Sequence, residues 1–446
     1  MQSKDLTSGS IIRNIVAFSL PYLLSYFMQI LYGLADLFVI GQYCGVDSIT
    51  AVSVGSQVMH FVTVMIVGLA MGTTVTLAKA VGAKDNERVA TAIGNTVTLF
   101  MIVSVILSIV LYLSVDSVVS VMATPVEATS QTRDYLAICF VGIPAIVAYN
   151  IIASVFRGLG DSKSPMYFIA IACVVNIALD YLLIGIFNIG AVGAALATTL
   201  SQLFSVVIAL MAIRRSSSGV TLSFADLHPR RQVMGDMLKI GVPIFLQDGF
   251  IQVGFLVITV IANMRGLDDA AAVGIVEKII GVLFLVPSAM LSTVSAIAAQ
   301  NIGANKVQRA KLTLYYALAI TIAFGCVSAF AMQIYADESV AIFTSDPHVI
   351  LLGGQYLKGY VWDCVFAGMH FCYSGFFCAC GLSVISFIHN MASISIARIP
   401  LCYISSAMYP DTLFPMGLAT VSGSVLSVII CIVAYVWTMK RKKYTL

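Results

Sequence analysis

The stretch NIVAFSLPYLLSYFMQILYGLADLFVI, residues 14–40, decides the class of this protein. It contains one charged side chain, Asp36, and is longer than the about 20 mostly apolar residues that carry a helix across a membrane. Lys4 and Arg13 precede it, but the run is too long for the apolar core of a cleaved signal peptide and lacks a small-residue cleavage site before Gly41. The sequence therefore predicts a retained first transmembrane helix.

The composition of the whole chain agrees with a membrane protein. Of 446 residues, 60% are hydrophobic and 10% are charged, whereas roughly a quarter are charged in soluble domains. The basic residues are scattered, which excludes a concentrated nucleic-acid surface, and the five histidines are too dispersed for a metal protein. The ten cysteines fall almost wholly inside apolar runs, so we interpret them as small apolar side chains rather than disulfides or metal ligands. No cofactor is expected.

Apolar runs of membrane-spanning length recur along the chain, and we count twelve. The predicted spans are 14–40, 50–77, 90–114, 134–156, 165–187, 190–213, 238–263, 270–298, 310–334, 350–377, 384–408 and 413–438. The predicted fold is an all-α membrane protein.

The distribution of Lys and Arg predicts the topology, because positively charged loops are retained on the cytoplasmic side. With the N-terminus inside, 19 of the 24 basic residues fall in inside segments. These are Lys4, Arg13, Lys79, Lys84, Arg88, Arg157, Lys163, Arg214, Arg215, Arg230, Arg231, Lys239, Lys306, Arg309, Lys311, Lys440, Arg441, Lys442 and Lys443. We therefore expect a multi-pass protein of the cell membrane with both termini in the cytoplasm.

One long polar stretch, residues 214–232, divides the spans six and six. This pattern is typical of a linker between two bundles. We predict an N-terminal six-helix lobe over residues 1–213, a cytoplasmic linker over 214–236 and a C-terminal six-helix lobe over 237–446.

The two halves are related in sequence. An offset of 221 pairs Gly45 with Gly266 and Arg88 with Arg309, and Pro21 matches Pro243 after a one-residue slip. Six spans separate the halves, so both copies run in the same direction through the membrane. This parallel repeat is typical of alternating-access transporters.

Polar side chains inside spans are functional candidates, because charges in lipid are costly. Asp36, Asp180 and Thr198 lie at similar depth from the predicted outer surface, and Asn176 precedes Asp180 by one helical turn on the same face. We therefore predict one polar pocket in the N-terminal half. Two nearby carboxylates there would share a proton or ionise around a cation, so the pocket is a candidate site for a coupling ion.

The alternative is that Asp36 caps a helix end at the membrane interface and Asp180 hydrogen-bonds a backbone group. The repeat favours the functional interpretation, since the equivalent positions in the second half are the apolar residues Ile258 and Leu401. A scaffold role would be expected in both copies.

The C-terminal half contains Asp248, Glu277, Asp363 and Arg398 within its spans, but not at one depth. Asp363 and Arg398 are both near mid-membrane, and we favour an internal ion pair over substrate binding. Pro21 removes a backbone hydrogen bond within the first span, which allows either a static kink or a bend that responds to the coupling ion.

Five blocks of sequence resemble the multidrug and toxic compound extrusion (MATE) family, and the resemblance extends over nearly the whole chain. They are residues 19–45 (SLPYLLSYFMQILYGLADLFVIGQYCG), 49–57 (ITAVSVGSQ), 71–85 (MGTTVTLAKAVGAKD), 156–166 (FRGLGDSKSPM) and 271–304 (AAVGIVEKIIGVLFLVPSAMLSTVSAIAAQNIGA). The resemblance implies two six-helix lobes around a central cleft that exports organic cations and other amphipathic drugs in exchange for H⁺ or Na⁺.

The branch of the family named for DNA-damage-inducible protein F is the most similar one. Its N-lobe site implies a role for Asp36, Asn176, Asp180 and Thr198, with Tyr135 and Asn150 nearby. The sodium-coupled branch carries a Glu in helix seven, where Ile251 stands here, so the resemblance does not extend to a C-lobe Na⁺ site of that type.

The predicted function is a secondary multidrug efflux transporter working by antiport against H⁺ or Na⁺. We expect it to act as a monomer in the lipid bilayer on small amphipathic substrates. The alternative is a lipid-linked saccharide flippase of the same superfamily, which would need a strongly basic cleft, whereas the basic residues within spans are Lys278 and Arg398. No HExxH, GxSxG or P-loop motif indicates an enzyme.

Overall fold

The computed structural model describes residues 4–215 and 223–440. In the first half, the α-helices are α1 (Ile11–Tyr43), α2 (Val46–Gly82), α3 (Asn86–Leu113), α4 (Val115–Val121), α5 (Val126–Val141), α6 (Ile143–Gly158), α7 (Lys163–Asp180) and α8 (Gly190–Arg215). In the second half they are α9 (Arg231–Asn263), α10 (Leu267–Leu283), α11 (Leu285–Gly303), α12 (Val307–Ala341), α13 (Pro347–Tyr360), α14 (Asp363–Cys380), α15 (Ser383–Ala392), α16 (Ile399–Met408) and α17 (Phe414–Lys440).

Three shorter helical segments complete the set of helices in the described part of the chain. A π-helix, π1 (Tyr181–Ile186), continues α7, and a second, π2 (Ser393–Arg398), joins α15 to α16. A short 3₁₀ helix covers Phe224–Leu227 in the linker. π-Helical turns within α-helices are rare and occur frequently at functional sites.

Ten helical segments of the described chain are long and apolar enough to cross a membrane, and the pair α5 and α6 adds an eleventh. This pair corresponds to the predicted span 134–156 and bends by 49° between its two helices. The predicted span 350–377 is divided between α13 and α14 and is not among the eleven. The count of twelve therefore stays a prediction.

The turns of the two halves repeat in backbone conformation as well as in sequence. Gly160 and Gly381, which the offset of 221 pairs, have φ angles of 88° and 77°. Lys84 and Asn305, paired by the same offset, have φ angles of 58° and 57°. Left-handed backbone is uncommon for residues other than glycine, so its recurrence at equivalent turns supports one shared fold for both halves.

The chain forms two compact units. Among the described residues, the N-terminal unit contains 4–5, 20–215 and 223–238, and the C-terminal unit contains 6–19 and 239–440. Each unit has its own apolar core: Val52, Leu136 and Phe140 are buried in the first, and Val276 and Tyr356 in the second.

Part of the predicted cytoplasmic charge lies outside the described residues. This applies to Arg441, Lys442 and Lys443 and to residues 216–222 of the predicted linker.

Candidate functional site

Three helices of the N-terminal unit position the predicted polar pocket. Asp36 lies on α1, Thr198 on α8, and Asn176 and Asp180 on the last two turns of α7. Asp180 is the last residue of α7, directly before π1. The wider π-helical turn therefore begins directly after Asp180.

The four side chains converge in the structure. The Thr198 hydroxyl donates a hydrogen bond to Asp36 Oδ2 at 3.2 Å, and Asp180 and Asn176 lie next to the Asp36 carboxyl group. Asn176 and Asp180 are fully buried, and Asp36 is 2% exposed. The helix periodicity that predicted a shared face for Asn176 and Asp180 thus agrees with their position beside Asp36.

Several polar atoms of this pocket have unused hydrogen-bonding capacity. Within the described residues, Asp36 Oδ1, both carboxyl oxygens of Asp180 and both amide atoms of Asn176 make no hydrogen bond of ordinary geometry. Buried polar groups normally have partners, since desolvating them is costly. Two carboxylates with an amide and a hydroxyl form a donor set that suits one proton shared between carboxyl groups or one hard monovalent cation.

The family resemblance added Tyr135 and Asn150 to the pocket, and the structure gives these two side chains different surroundings. Tyr135 on α5 is buried within electrostatic range of Asp36, and its hydroxyl lies 3.2 Å from Ser56 Oγ. Asn150 on α6 instead donates to the carbonyl oxygen of Ile146 in its own helix, at 2.8 Å. The bend between α5 and α6 separates the helices that carry these two side chains.

One neighbour of the pocket was missed by the sequence reasoning. Tyr32 lies on α1 beside Asp36 and interacts with Thr198 and Gln202. Its spacing of four residues from Asp36 could have identified it, because residues i and i+4 share a helix face. Pro21 lies farther along α1, within a continuous helix, where its carbonyl oxygen accepts a hydrogen bond from Ser25 Oγ at 2.9 Å.

In the C-terminal unit, Asp363 and Arg398 form the ion pair that their depth predicted. Arg398 Nη2 lies 2.5 Å from Asp363 Oδ2, and both residues are buried. The guanidinium group also donates to Thr420 O at 3.1 Å and to Ser424 Oγ at 3.2 Å. Arg398 ends π2, so each unit carries a π-helical turn next to a buried charge.

The remaining two predicted residues of this unit are not connected to that pair. Asp248 is half-buried beside Gln247, and Glu277 accepts a hydrogen bond from Thr259 Oγ1 at 3.4 Å. No ion pair or hydrogen bond between described residues links either carboxylate to Asp363. The four charges of the second half therefore do not form one site.

A buried histidine cluster in the C-terminal unit was also missed by sequence. The ring nitrogens of His389 contact the hydroxyl groups of Ser374 at 2.9 Å and Ser427 at 2.8 Å. The ring of His370 lies 5.6 Å from that of His389. His370 and Ser374 are four residues apart on α14, which is the signal that could have indicated a shared polar face. No cluster of three potential metal ligands occurs among the residues that the structure describes.

Comparison with known proteins relates both halves of the chain to one family. The family model MatE matches residues 21–182 and again residues 243–404. The second range follows the first by 222 residues, which confirms the internal repeat, including the one-residue slip at Pro21 and Pro243.

Curated relatives cover most of the chain. The probable multidrug resistance protein YpnP of Bacillus subtilis is 28% identical over 407 residues, 91% of each chain. A FAD transporter of Shewanella oneidensis is 25% identical over 80% of this chain and 78% of its own.

A solved structure gives the fold. The outward-facing conformation of a multidrug resistance MATE family transporter of the MOP superfamily matches with a TM-score of 0.91 and 22% identity, over 100% of this chain and 99% of that chain. The predicted all-α membrane fold with two related halves is confirmed by this likeness and by the repeated family match. The chain belongs to the multidrug and toxic compound extrusion (MATE) family of membrane transporters.

Proposed function

We propose that this chain is a secondary active multidrug efflux transporter. It exports amphipathic organic cations or other xenobiotics by antiport against H⁺ or Na⁺. The names of the Bacillus relative and of the matched structure, both of which refer to multidrug resistance, support the efflux role. The Shewanella relative is named for FAD, so substrate choice differs among relatives.

The observation that carries the proposal is the buried convergence of Asp36, Asp180, Asn176 and Thr198. A transporter driven by an ion gradient needs a site whose charge changes when that ion binds. The two carboxylates provide this change, because a bound proton or Na⁺ removes one negative charge from a low-dielectric environment. The unpartnered oxygens of Asp36 and Asp180 are available to hold the ion.

The charges of the C-terminal unit have a supporting role in this proposal. Arg398 is neutralised by Asp363, and the side chain of Lys278 is exposed on α10. One remaining lysine is too little for the strongly basic cleft that the pyrophosphate of a lipid-linked saccharide would require. The flippase alternative is therefore disfavoured.

The charge pattern and the apolar helices support a location in the cell membrane with both termini in the cytoplasm. The protein acts there as a monomer. It needs no cofactor and catalyses no covalent reaction.

The test uses everted membrane vesicles and efflux of a cationic dye under a pH gradient alone and a Na⁺ gradient alone. The wild-type protein should transport under at least one gradient, and that gradient identifies the coupling ion. Asp36→Asn should abolish this transport at equal membrane abundance, while Asp116→Asn, which changes an exposed carboxylate of the same unit, should retain it. Full transport by Asp36→Asn would refute the proposed coupling site.

A further inference from the structure

The C-terminal unit contains a buried polar cluster that the proposed coupling site does not use. Two histidines, His370 on α14 and His389 on α15, are buried with their rings 5.6 Å apart. The hydroxyl groups of Ser374 and Ser427 contact the two ring nitrogens of His389. Imidazole is the side chain whose ordinary charge change falls between acidic and neutral pH, so the natural ligand of this cluster is H⁺.

The internal repeat shows that the fold does not require these polar side chains. At the offset of 221, they correspond to members of a hydrophobic cluster in the N-terminal unit. The pairs are His370 with Tyr149, Ser374 with Ala153 and His389 with Phe168. One copy of the fold is therefore built with a hydrophobic core at the place where the other copy has a histidine pair.

One backbone contact is common to both units and separates packing from chemistry. Ser205 Oγ of α8 donates to the carbonyl oxygen of Phe168 in α7, at 3.0 Å. Ser427 Oγ of α17 donates to the carbonyl oxygen of His389 in α15, at 3.3 Å. The serine connects its two helices whether the residue is Phe or His. The hydrogen bonds of the imidazole ring are therefore additional to those that this packing uses.

The hydrogen-bond directions around His389 allow the ring to gain one proton. Ser427 gives its single hydroxyl hydrogen to the His389 carbonyl oxygen, so it accepts from Nδ1–H at 2.8 Å. Nε2 of the neutral ring is then an acceptor, to which the Ser374 hydroxyl donates at 2.9 Å. A proton added at Nε2 requires only that the Ser374 hydroxyl rotates and becomes the acceptor. Both states of the ring are hydrogen-bonded at both nitrogens without movement of any heavy atom.

His370 is less suited to carry this proton. Its Nε2 atom lies 3.5 Å from Ser424 Oγ, and its Nδ1 atom has no hydrogen-bond partner among the described residues. Ser424 also accepts from the Arg398 guanidinium group at 3.2 Å, so a charged His370 would face a permanent cation across one hydroxyl group. Like charges disfavour each other, and the two rings are themselves too close for both to be charged. The cluster therefore accommodates one proton, at His389.

The formal charges next to the histidine pair already cancel. Arg398, on π2, forms its ion pair with Asp363 of α14. α17 packs against α14, α15 and π2, and its titratable groups there are the neutral side chains of Cys431 and Tyr435. α11 has no charged side chain, and α12 meets α14 here through Thr321. No uncompensated cation of these helices opposes a proton on His389.

One carboxylate lies on the α9 side of the cluster. Asp248 is within electrostatic range of Cys378, which follows Ser374 by one turn of α14. A negative charge in this position favours a proton at His389 rather than opposing it.

We propose that this histidine cluster is a proton-binding site of the C-terminal unit, in which His389 carries the proton and Ser374 and Ser427 hold it. The site is separate from the coupling-ion site at Asp36 in the other unit. A bound proton changes the charge where α14, α15 and α17 meet, so transport responds to pH through this unit as well.

NMR of protein labelled with ¹⁵N in its five histidines tests the site directly. Spectra are recorded in detergent from alkaline pH to the lowest pH at which the protein stays folded. The His389 signals are identified by their loss in His389→Phe, or by removal of the other four histidines in turn if that variant does not fold. They should change from the unequal shifts of a neutral ring to the similar shifts of a charged one, while His370 stays neutral. A His389 ring that stays neutral throughout, or a charged His370, would overturn the proposal.

Two buried serines of the cluster provide a matched pair of variants. Ser374→Ala removes the hydroxyl group that contacts Nε2 of His389, and a hydrogen bond to a charged group is stronger than one to a neutral group. The His389 transition should therefore move to lower pH by on the order of one unit. Ser386→Ala removes a hydroxyl group that donates to the Ser374 carbonyl oxygen instead, at 3.3 Å, and should leave the transition in place. Equal transitions in both variants would contradict the role of Ser374.

Dye efflux over the same pH range tests the consequence for transport, and this part rests on the proposed function. His389→Phe introduces the residue that the N-terminal unit has at the equivalent position. Its efflux profile should lose the step that coincides with the His389 transition, whereas His348→Gln, which changes an exposed histidine beside Asp268, should keep the wild-type profile. A wild-type profile in His389→Phe would assign the cluster to packing and overturn the proposal.

The two proposals fail in distinguishable ways. The NMR transition requires no drug, and Asp36→Asn should leave it unchanged because the carboxylate pocket lies in the other unit. An intact His389 transition without dye efflux by the wild-type protein would count against the drug substrate and support the proton site.

Discussion

At the level of single residues, the pocket around Asp36 shows how far spacing and depth can predict a membrane site. Asn176 and Asp180 could be placed on one helix face because they are one helical turn apart. Thr198 and Asp36 could be placed near them because they lie at a similar depth from the predicted outer surface of the membrane. Tyr135 needed the family resemblance, since its position depends on packing against α2. Asn150 was placed in the pocket by resemblance alone, whereas its amide bonds within its own helix.

The hydroxyl group of Thr198 should contribute to cation binding through its hydrogen bond to Asp36. Thr198→Val removes this donor at nearly constant volume, and a hydrogen bond to a charged group contributes about 1.5–3 kcal/mol. Because the lost donor stabilises the ionised Asp36 carboxylate, its removal should strengthen proton binding, and the proton concentration for half-maximal pH-driven efflux should fall on the order of tenfold. Thr198→Ser, which keeps the hydroxyl, should remain close to wild type, and equal behaviour of both variants would show that the bond does not contribute.

The ion pair between Asp363 and Arg398 should stabilise the C-terminal unit rather than take part in transport. Asp363→Asn leaves a buried guanidinium group without its counter-charge, a change that typically costs about 3–5 kcal/mol. The melting temperature in detergent should fall markedly. The double variant Asp363→Leu/Arg398→Met should recover stability and dye efflux, and a stable double variant without efflux would instead assign the pair to transport.

At the level of helices and turns, the repeat offset predicted where equivalent turns lie but not how each half departs from the other. Gly160 and Gly381 could be paired from sequence because glycine is favoured in left-handed turns. The two π-helical turns could not be predicted, since they are not at equivalent positions and depend on local packing. The same limit applies to the bend between α5 and α6, where the apolar run predicted only one span, 134–156.

The turn between α9 and α10 is fixed by the side chain of Arg265, which is not among the 19 basic residues of the predicted inside segments. Arg265 Nη1 donates to Ser406 O at 2.7 Å, and Nη2 donates to Pro410 O at 2.8 Å. Its Nε atom lies 3.4 Å from Asp269 Oδ1. This one side chain therefore connects the α9–α10 turn to the segment between α16 and α17.

Replacement of Arg265 should loosen that connection. Arg265→Ala leaves several carbonyl groups without a donor and should destabilise the C-terminal unit by roughly 1.5–3 kcal/mol, the contribution of a charged hydrogen bond. Limited proteolysis between residues 406 and 414 should accelerate. Arg133→Ala, which removes an exposed ion pair with Asp116, serves as the control and should have little effect; equal proteolysis of both variants would contradict the role of Arg265.

At the level of the whole molecule, sequence predicted a membrane protein of two related halves, because apolar periodicity and repeated motifs are local properties of the chain. It could not predict that Leu6–Ser19 packs with the C-terminal unit, since that depends on contacts of residues almost 300 positions apart, such as Leu6 with Gln300. The halves are chemically unequal in the structure too. The carboxylate pocket lies in the N-terminal unit, and the corresponding positions Ile258 and Leu401 are apolar.

We propose that the exported drug displaces the coupling ion from Asp36 and Asp180. The most direct measurement is cation displacement from purified protein in detergent, recorded as protons released into weakly buffered solution or as bound ²²Na⁺ lost when a cationic dye is added. The wild-type protein should release one of these cations on dye binding, and Asp36→Asn should release neither. An undiminished release from Asp36→Asn would contradict the account and place the coupling ion elsewhere.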